Sequence, residues 1–117
     1  MGVTPLELAR VAAMAADGKK AEDICLIDLT GATDVCDYFL ICTGQNKRLV
    51  DSVIDEVEER VRINCEEKPL SIEGRAEGNW VLMDYGTVVI HVFTPETREF
   101  FRLEKLWGDA PRVDLGL

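Results

Sequence analysis

Histidine occurs once in this chain of 117 residues, at position 91, and the four cysteines, Cys25, Cys36, Cys42 and Cys65, contain no C-x-x-C pair. A zinc site would have to gather cysteines from across the chain, and Cys25 and Cys42 lie inside apolar runs. Reduced structural thiols and no metal site are therefore expected. Carboxylates do not replace them: Asp34 and Asp37 are three apart and Asp84 has no acidic residue two positions on, so two-metal chemistry finds no D-x-D pair. No serine or cysteine stands in a nucleophile elbow. Gly44-Gln45-Asn46 precedes a helical pattern but matches neither G-x-x-x-x-G-K followed by Ser or Thr nor G-x-G-x-x-G. No apolar run approaches the roughly 20 residues of a membrane span, and the N-terminus is neither a signal peptide nor an Arg-rich transit segment. A cytoplasmic chain without a membrane role is expected.

Cations are also short, 13 Lys plus Arg against 22 Asp plus Glu, for a formal charge of −9. Such a surface repels phosphate backbones, which disfavours direct nucleic-acid binding, and it speeds encounter with basic proteins. The length suits one domain that buries about two-thirds of its unfolded surface.

What is present reads as alternating helices and strands. Thr4-Pro5-Leu6-Glu7 has the form of a capping box, and Leu8, Val11, Ala12 and Ala15 repeat at helical spacing up to Gly18. Ile24 to Leu29 and Tyr38 to Thr43 are continuous apolar runs, expected as strands covered on both faces. Leu49, Val50, Val53, Ile54, Val57 and Val61 mark one face of a helix ending near Cys65, with Lys47 and Arg48 in its first turn, where cations oppose the helix dipole. Pro69 to Ile72 is a third candidate strand, and Glu73 to Gly78 reads as a mobile loop. Thr94-Pro95 opens a last helix in which Phe100, Leu103 and Trp107 share a face with Phe101 beside them; residues 109–117 are expected to be a flexible tail. The expectation is an α/β fold, one domain over residues 1–117, with a mixed sheet of about five strands and helices packed on it.

The stretch Asn79 to Phe93, NWVLMDYGTVVIHVF, is the most distinctive. Its two β-rich runs flank Asp84-Tyr85-Gly86, where Gly86 supplies the positive φ of a tight turn. With Tyr85 and Gly86 central, Leu82 pairs with Val89 and Trp80 with His91. Trp80, Leu82, Asp84, Val89 and His91 then share one face, and Val81, Met83, Val88, Ile90 and Val92 the other. The second set is the better core. The first mixes apolar area with an indole, a carboxylate and an imidazole, as a contact surface does. His91 has only Asp84 as a nearby orienting carboxylate, several residue pairs away, so a catalytic pair is not expected.

Asp37-Tyr38-Phe39, Gly44, Arg48 with Val50, Glu73-Gly74, WVLMDYG at Trp80 to Gly86, VVIHVF at Val88 to Phe93 and REFFRLEKLW at Arg98 to Trp107 together resemble the ribosomal silencing factor S, or Iojap-like, family. The resemblance runs from about Leu6 to Ala110. Asn46, Leu49 and Phe101 depart from the residues common there. It implies a nucleotidyltransferase-like α/β fold without catalytic activity or cofactor, often a homodimer, whose partner is the large ribosomal subunit protein L-fourteen. Bound there, such a factor blocks subunit joining and lowers translation when nutrients are scarce. By position, the resemblance puts the partner-binding aromatic at Trp80, with Glu73, Met83, Asp84, Tyr85 and His91 as neighbours. The enzyme alternative is nucleotidyl transfer at the Gly44 turn with magnesium and a nucleotide.

Overall fold

The first helix, α1 (Pro5–Gly18), begins as its capping box dictates: Thr4 Oγ1 accepts from the Glu7 amide at 3.1 Å and Glu7 Oε1 accepts from the Thr4 amide at 2.9 Å. The computed structural model describes residues 2–117. Five alanines of α1, Ala9, Ala12, Ala13, Ala15 and Ala16, are buried with Leu8, and this small-residue stripe lets the helix lie close on its neighbours. The chain continues through β1 (Glu22–Asp28), β2 (Tyr38–Thr43), α2 (Lys47–Cys65), β3 (Ser71–Glu73), β4 (Trp80–Asp84), β5 (Val88–Phe93), α3 (Pro95–Phe101), α4 (Leu103–Leu106) and β6 (Arg112–Val113). Asn46 caps α2 by accepting from the Leu49 amide at 2.9 Å.

The strands form one sheet in the order β3-β4-β5-β2-β1-β6. It is mixed, as expected, but among the described residues it has six strands. The residues expected to be a flexible tail pair with β1, Val113 opposite Leu26 and Arg112 opposite Ile27, and Val113 and Leu115 pack on the core. The parallel pair is β2 with β5, because α2 carries the chain past two strand positions to β3 at the far edge. Between those positions β4 and β5 enter as an antiparallel hairpin.

One face of the sheet is closed by α1 and α2. Val50, Val53, Ile54, Val57 and Val61 of α2 are fully buried there against Leu40, Val81, Met83, Val88, Ile90 and Val92. Each such side chain contributes about 1.5–3 kcal/mol relative to exposure. The other face carries a smaller cluster, Ile27, Leu29, Cys36, Ile41 and Phe93, with Leu103 and Trp107 lying partly over it. All four cysteines are free thiols, and burial raises the pKa of each; Cys42, fully enclosed, is pushed up to about 12.

Two local expectations are corrected. The loop after β3 is tied to α2 on both sides: Lys47 Nζ donates to the Ala76 carbonyl at 2.8 Å, and Arg75 bonds Asp51 at 3.2 Å and Asp55 at 2.5 Å. Lys47 thus has a local acceptor for its charge. The last helix is broken in two, since Arg102 takes a left-handed conformation with φ 46° between α3 and α4, and Phe100 is left exposed.

Arg98 fastens this broken segment. Its nearly enclosed guanidinium donates to the Asp23 carbonyl at 2.6 Å and Thr43 Oγ1 at 2.8 Å, and it pairs with Glu104 at 3.5 Å. Arg98→Ala should destabilise the fold by about 2–4 kcal/mol, because it strands a carbonyl and a carboxylate in a partly dry site. A urea titration should show a lowered midpoint with an unchanged slope.

Candidate functional site

The hairpin places its side chains on the two faces read from its alternation, but in a different register. Trp80 lies opposite Phe93, Leu82 opposite His91, Met83 opposite Ile90 and Asp84 opposite Val89. Tyr85 donates its amide to Val88 O at 2.9 Å, so Gly86 and Thr87, not Tyr85 and Gly86, are the central residues of the turn. Gly86, at φ +86°, occupies the first of those two places, and the Asp84 carboxylate accepts its amide at 2.7 Å. The shift is by two residues. Each side chain therefore stays on its expected face.

Neighbouring strands extend that face. Across β4, β3 adds Ser71 and Glu73, and across β5 the parallel partner β2 adds Phe39, Ile41 and Thr43. The result is a run of aromatic rings. Phe101 packs on Trp80 at 4.6 Å between centroids, Trp80 stacks on Phe93 at 5.1 Å, His91 meets Phe39 edge-on at 4.6 Å, and Phe39 meets Trp107 at 6.1 Å. Trp80, Leu82, Val89 and Phe39 are half-buried, and Phe101 is exposed. Glu73 is exposed and Asp84 half-buried toward the β3 side of the same face. Gly74 makes this closeness feasible: a Cβ there would lie 2.2 Å from the Trp80 carbonyl oxygen, and its φ is +83°.

The polar centre of the face is one hydrogen bond. Trp80 Nε1–H donates to His91 Nδ1 at 3.1 Å. A nitrogen that accepts carries no proton, so the neutral ring bears its proton on Nε2. That nitrogen is buried and has no partner among the described residues, and His91 is 3% exposed. Burial pushes the His91 pKa down to about 4.

Of the six residues expected at a contact surface, four share this face: Glu73, Trp80, Asp84 and His91. His91 lies beneath the surface as Trp80's support. The other two are corrected. Met83 points to the opposite face and is fully buried in the helix-covered core. Tyr85 is also buried on that side, its hydroxyl without a partner among the described residues, and burial with Glu58 nearby pushes its pKa up. Strand alternation separates both from Trp80. Leu82 and Val89 join the face by the same alternation. Phe39 needed the β2–β5 pairing, and Phe101 the break at Arg102; neither has a local signal.

Around the Gly44 turn the polar groups are committed internally. The Gly44 amide donates to Phe93 O at 2.8 Å, Asn46 caps α2, and Gln45 bonds Glu22. Among the described residues no three His, Cys, Asp or Glu side chains are grouped to hold a metal ion. Nor is any helix there long and apolar enough to cross a membrane.

Fold and face define an α/β domain with one sheet face sealed by helices and the other offering a half-open aromatic surface with acidic edges. The family described as "Ribosomal silencing factor during starvation" matches residues 3–117, and the chain belongs to it. It is 44% identical over 106 residues to "Ribosomal silencing factor RsfS" of Bacillus subtilis, covering 91% of this chain and 89% of that one. A mouse relative, "Mitochondrial assembly of ribosomal large subunit protein 1", is 35% identical over 76% of this chain and 40% of its own length. A crystal structure of a Chromobacterium violaceum protein superposes with a TM-score of 0.87 at 29% identity, covering 91% of this chain and 88% of that one.

The depressed His91 pKa has a sign that can be checked. The unfolded chain takes up a proton near pH 6.5 and the folded chain only near pH 4, so stability is retained above about 6.5 and lost as pH falls toward 4. Between pH 7 and 4.5 this group alone should remove about 2 kcal/mol. In His91→Leu, which has nothing to titrate there, the fall in unfolding free energy over the same interval, read from urea titrations, should be smaller by that amount.

Proposed function

We propose that this protein is a non-catalytic silencing factor that docks through the Trp80 face on the large ribosomal subunit, at protein L-fourteen on the surface where the subunits join. By occupying that surface it blocks joining sterically and represses translation under nutrient limitation. The free protein is a homodimer and acts in the cytoplasm. The single observation that carries the reading is the half-exposed Trp80, backed by Phe93 and Phe101, with Leu82 next to it on the same face and Val89, Glu73 and Asp84 further along that face. A well-supported aromatic with an apolar surround is the usual make-up of an interface anchor. The names of the Bacillus and mouse relatives support a ribosomal partner. The formal charge of −9 favours fast encounter with a basic ribosomal protein.

The mechanism asks for an interface and no bond chemistry. Burial of the aromatic plate supplies affinity, and Glu73 and Asp84 orient the partner through charge.

Trp80→Ala should remain folded and lose about 2 kcal/mol or more of association with purified large subunits, read by co-sedimentation. Unchanged co-migration would place the docking site elsewhere. Raising salt from 0.05 to about 0.5 M should slow association of the parent protein if its acidity assists encounter, as stopped-flow mixing would show.

A further inference from the structure

A tryptophan at an interface normally offers its partner two things, hydrocarbon area and an N–H donor. Here the second is withheld. The indole N–H of Trp80 points into the protein, to His91 Nδ1 at 3.1 Å. The other polar atom of the pair, His91 Nε2, is enclosed. Around them stand Phe93, Phe101, Leu82 and Val89, none of which has a polar side-chain atom. The carboxylates nearest along the hairpin and its edge strand are Glu73 and Asp84.

We infer that His91 is the positioning residue of this face: by holding the indole N–H it presents Trp80 as a bare hydrocarbon plate, to which the partner brings an aliphatic or aromatic side chain and no hydrogen-bond acceptor. The inference rests on the reading of the Trp80 face as the docking surface and specifies the chemistry of its partner. The occupant is a segment of a basic protein, apolar where it meets Trp80 and cationic where it meets Glu73 and Asp84. Charge complementarity argues for this occupant over a second copy of a chain that carries −9.

His91 acts only through Trp80. Without its acceptor, the indole N–H is left unsatisfied in a half-buried site and turns toward water, tilting the plate. With phenylalanine at position 80 there is no N–H to hold, and loss of His91 has nothing to misplace.

The experiment is a double-mutant cycle, scored by docking to purified large ribosomal subunits with melting curves as folding controls. Trp80→Phe should dock within about threefold of the parent, and His91→Leu should weaken docking about tenfold. In the Trp80→Phe background, His91→Leu should add less than about twofold. His91→Asn, whose side-chain oxygen supplies an acceptor near the place of Nδ1, should restore docking and keeps the test valid if His91→Leu fails to fold. In nitrogen-15 spectra the Trp80 indole N–H should stay protected from exchange in both free and docked protein.

A loss of about tenfold or more in Trp80→Phe would mean that the partner uses the N–H, overturning this inference while leaving the docking site in place. Equal losses for His91→Leu in both backgrounds would reduce His91 to a structural residue and overturn it as well. Trp80→Ala that docks normally would overturn the docking site itself. If Trp80→Ala instead abolished self-association and spared docking, the occupant would be a second copy and the inference would fall.

Discussion

The alternation of one strand, β5, is the constraint on which the rest of the structure depends. β5 pairs with β2 on one side and β4 on the other, so its pleat sets the orientation of both neighbours. Val88, Ile90 and Val92 seal the helix-covered core, while Val89, His91 and Phe93 build the opposite face. The same six residues therefore seal the core on one side and build the aromatic face on the other. A substitution at an even position loses core packing, whereas one at His91 or Phe93 alters the support of Trp80.

The division of labour between the two faces was legible in the sequence because a strand's period is two and the apolar residues of Trp80 to Phe93 fall into two unequal sets. The hairpin register was not. Both Tyr85-Gly86 and Gly86-Thr87 offer a glycine to the turn, and the choice between them rests on Asp84 accepting the Gly86 amide, a bond invisible to periodicity. Because the alternatives differ by two residues, the faces came out right and the pairing wrong. The capping box at Thr4 and the stripe of α2 were readable for the reason that local chemistry decides them. The left-handed Arg102 and the strand at Arg112–Val113 were unreadable, since each depends on partners distant in the chain, Arg98's acceptors in one case and β1 in the other. Met83 and Tyr85 show the limit of transfer by position: a motif that runs along a strand contains both faces, and only alternation separates them.

The acidic edge of the face is held by interactions remote from the hairpin. Lys47 and Arg75, cations in an otherwise acidic neighbourhood, join α2 to the loop that follows Glu73. Each exposed pair is weak alone, worth about 0–1 kcal/mol. Their effect is geometric, because that loop passes against the Trp80 backbone at Gly74. The edge carboxylate and the aromatic plate are thereby fixed relative to each other.

The route of α2 carries a consequence for when the face comes into being. The helix leaves β2 and delivers the chain to β3 at the far edge of the sheet, with the places of β4 and β5 still open between them. Until residues 88–93 enter, the N-terminal strands and the edge strand stand on opposite sides of a gap, and the aromatic run from Phe39 to Trp80 is split across it. Such long-range closure is slow compared with helix formation. During its own synthesis the chain therefore lacks the assembled aromatic face until residues 88–93 have left the exit tunnel and closed the gap between β2 and β3.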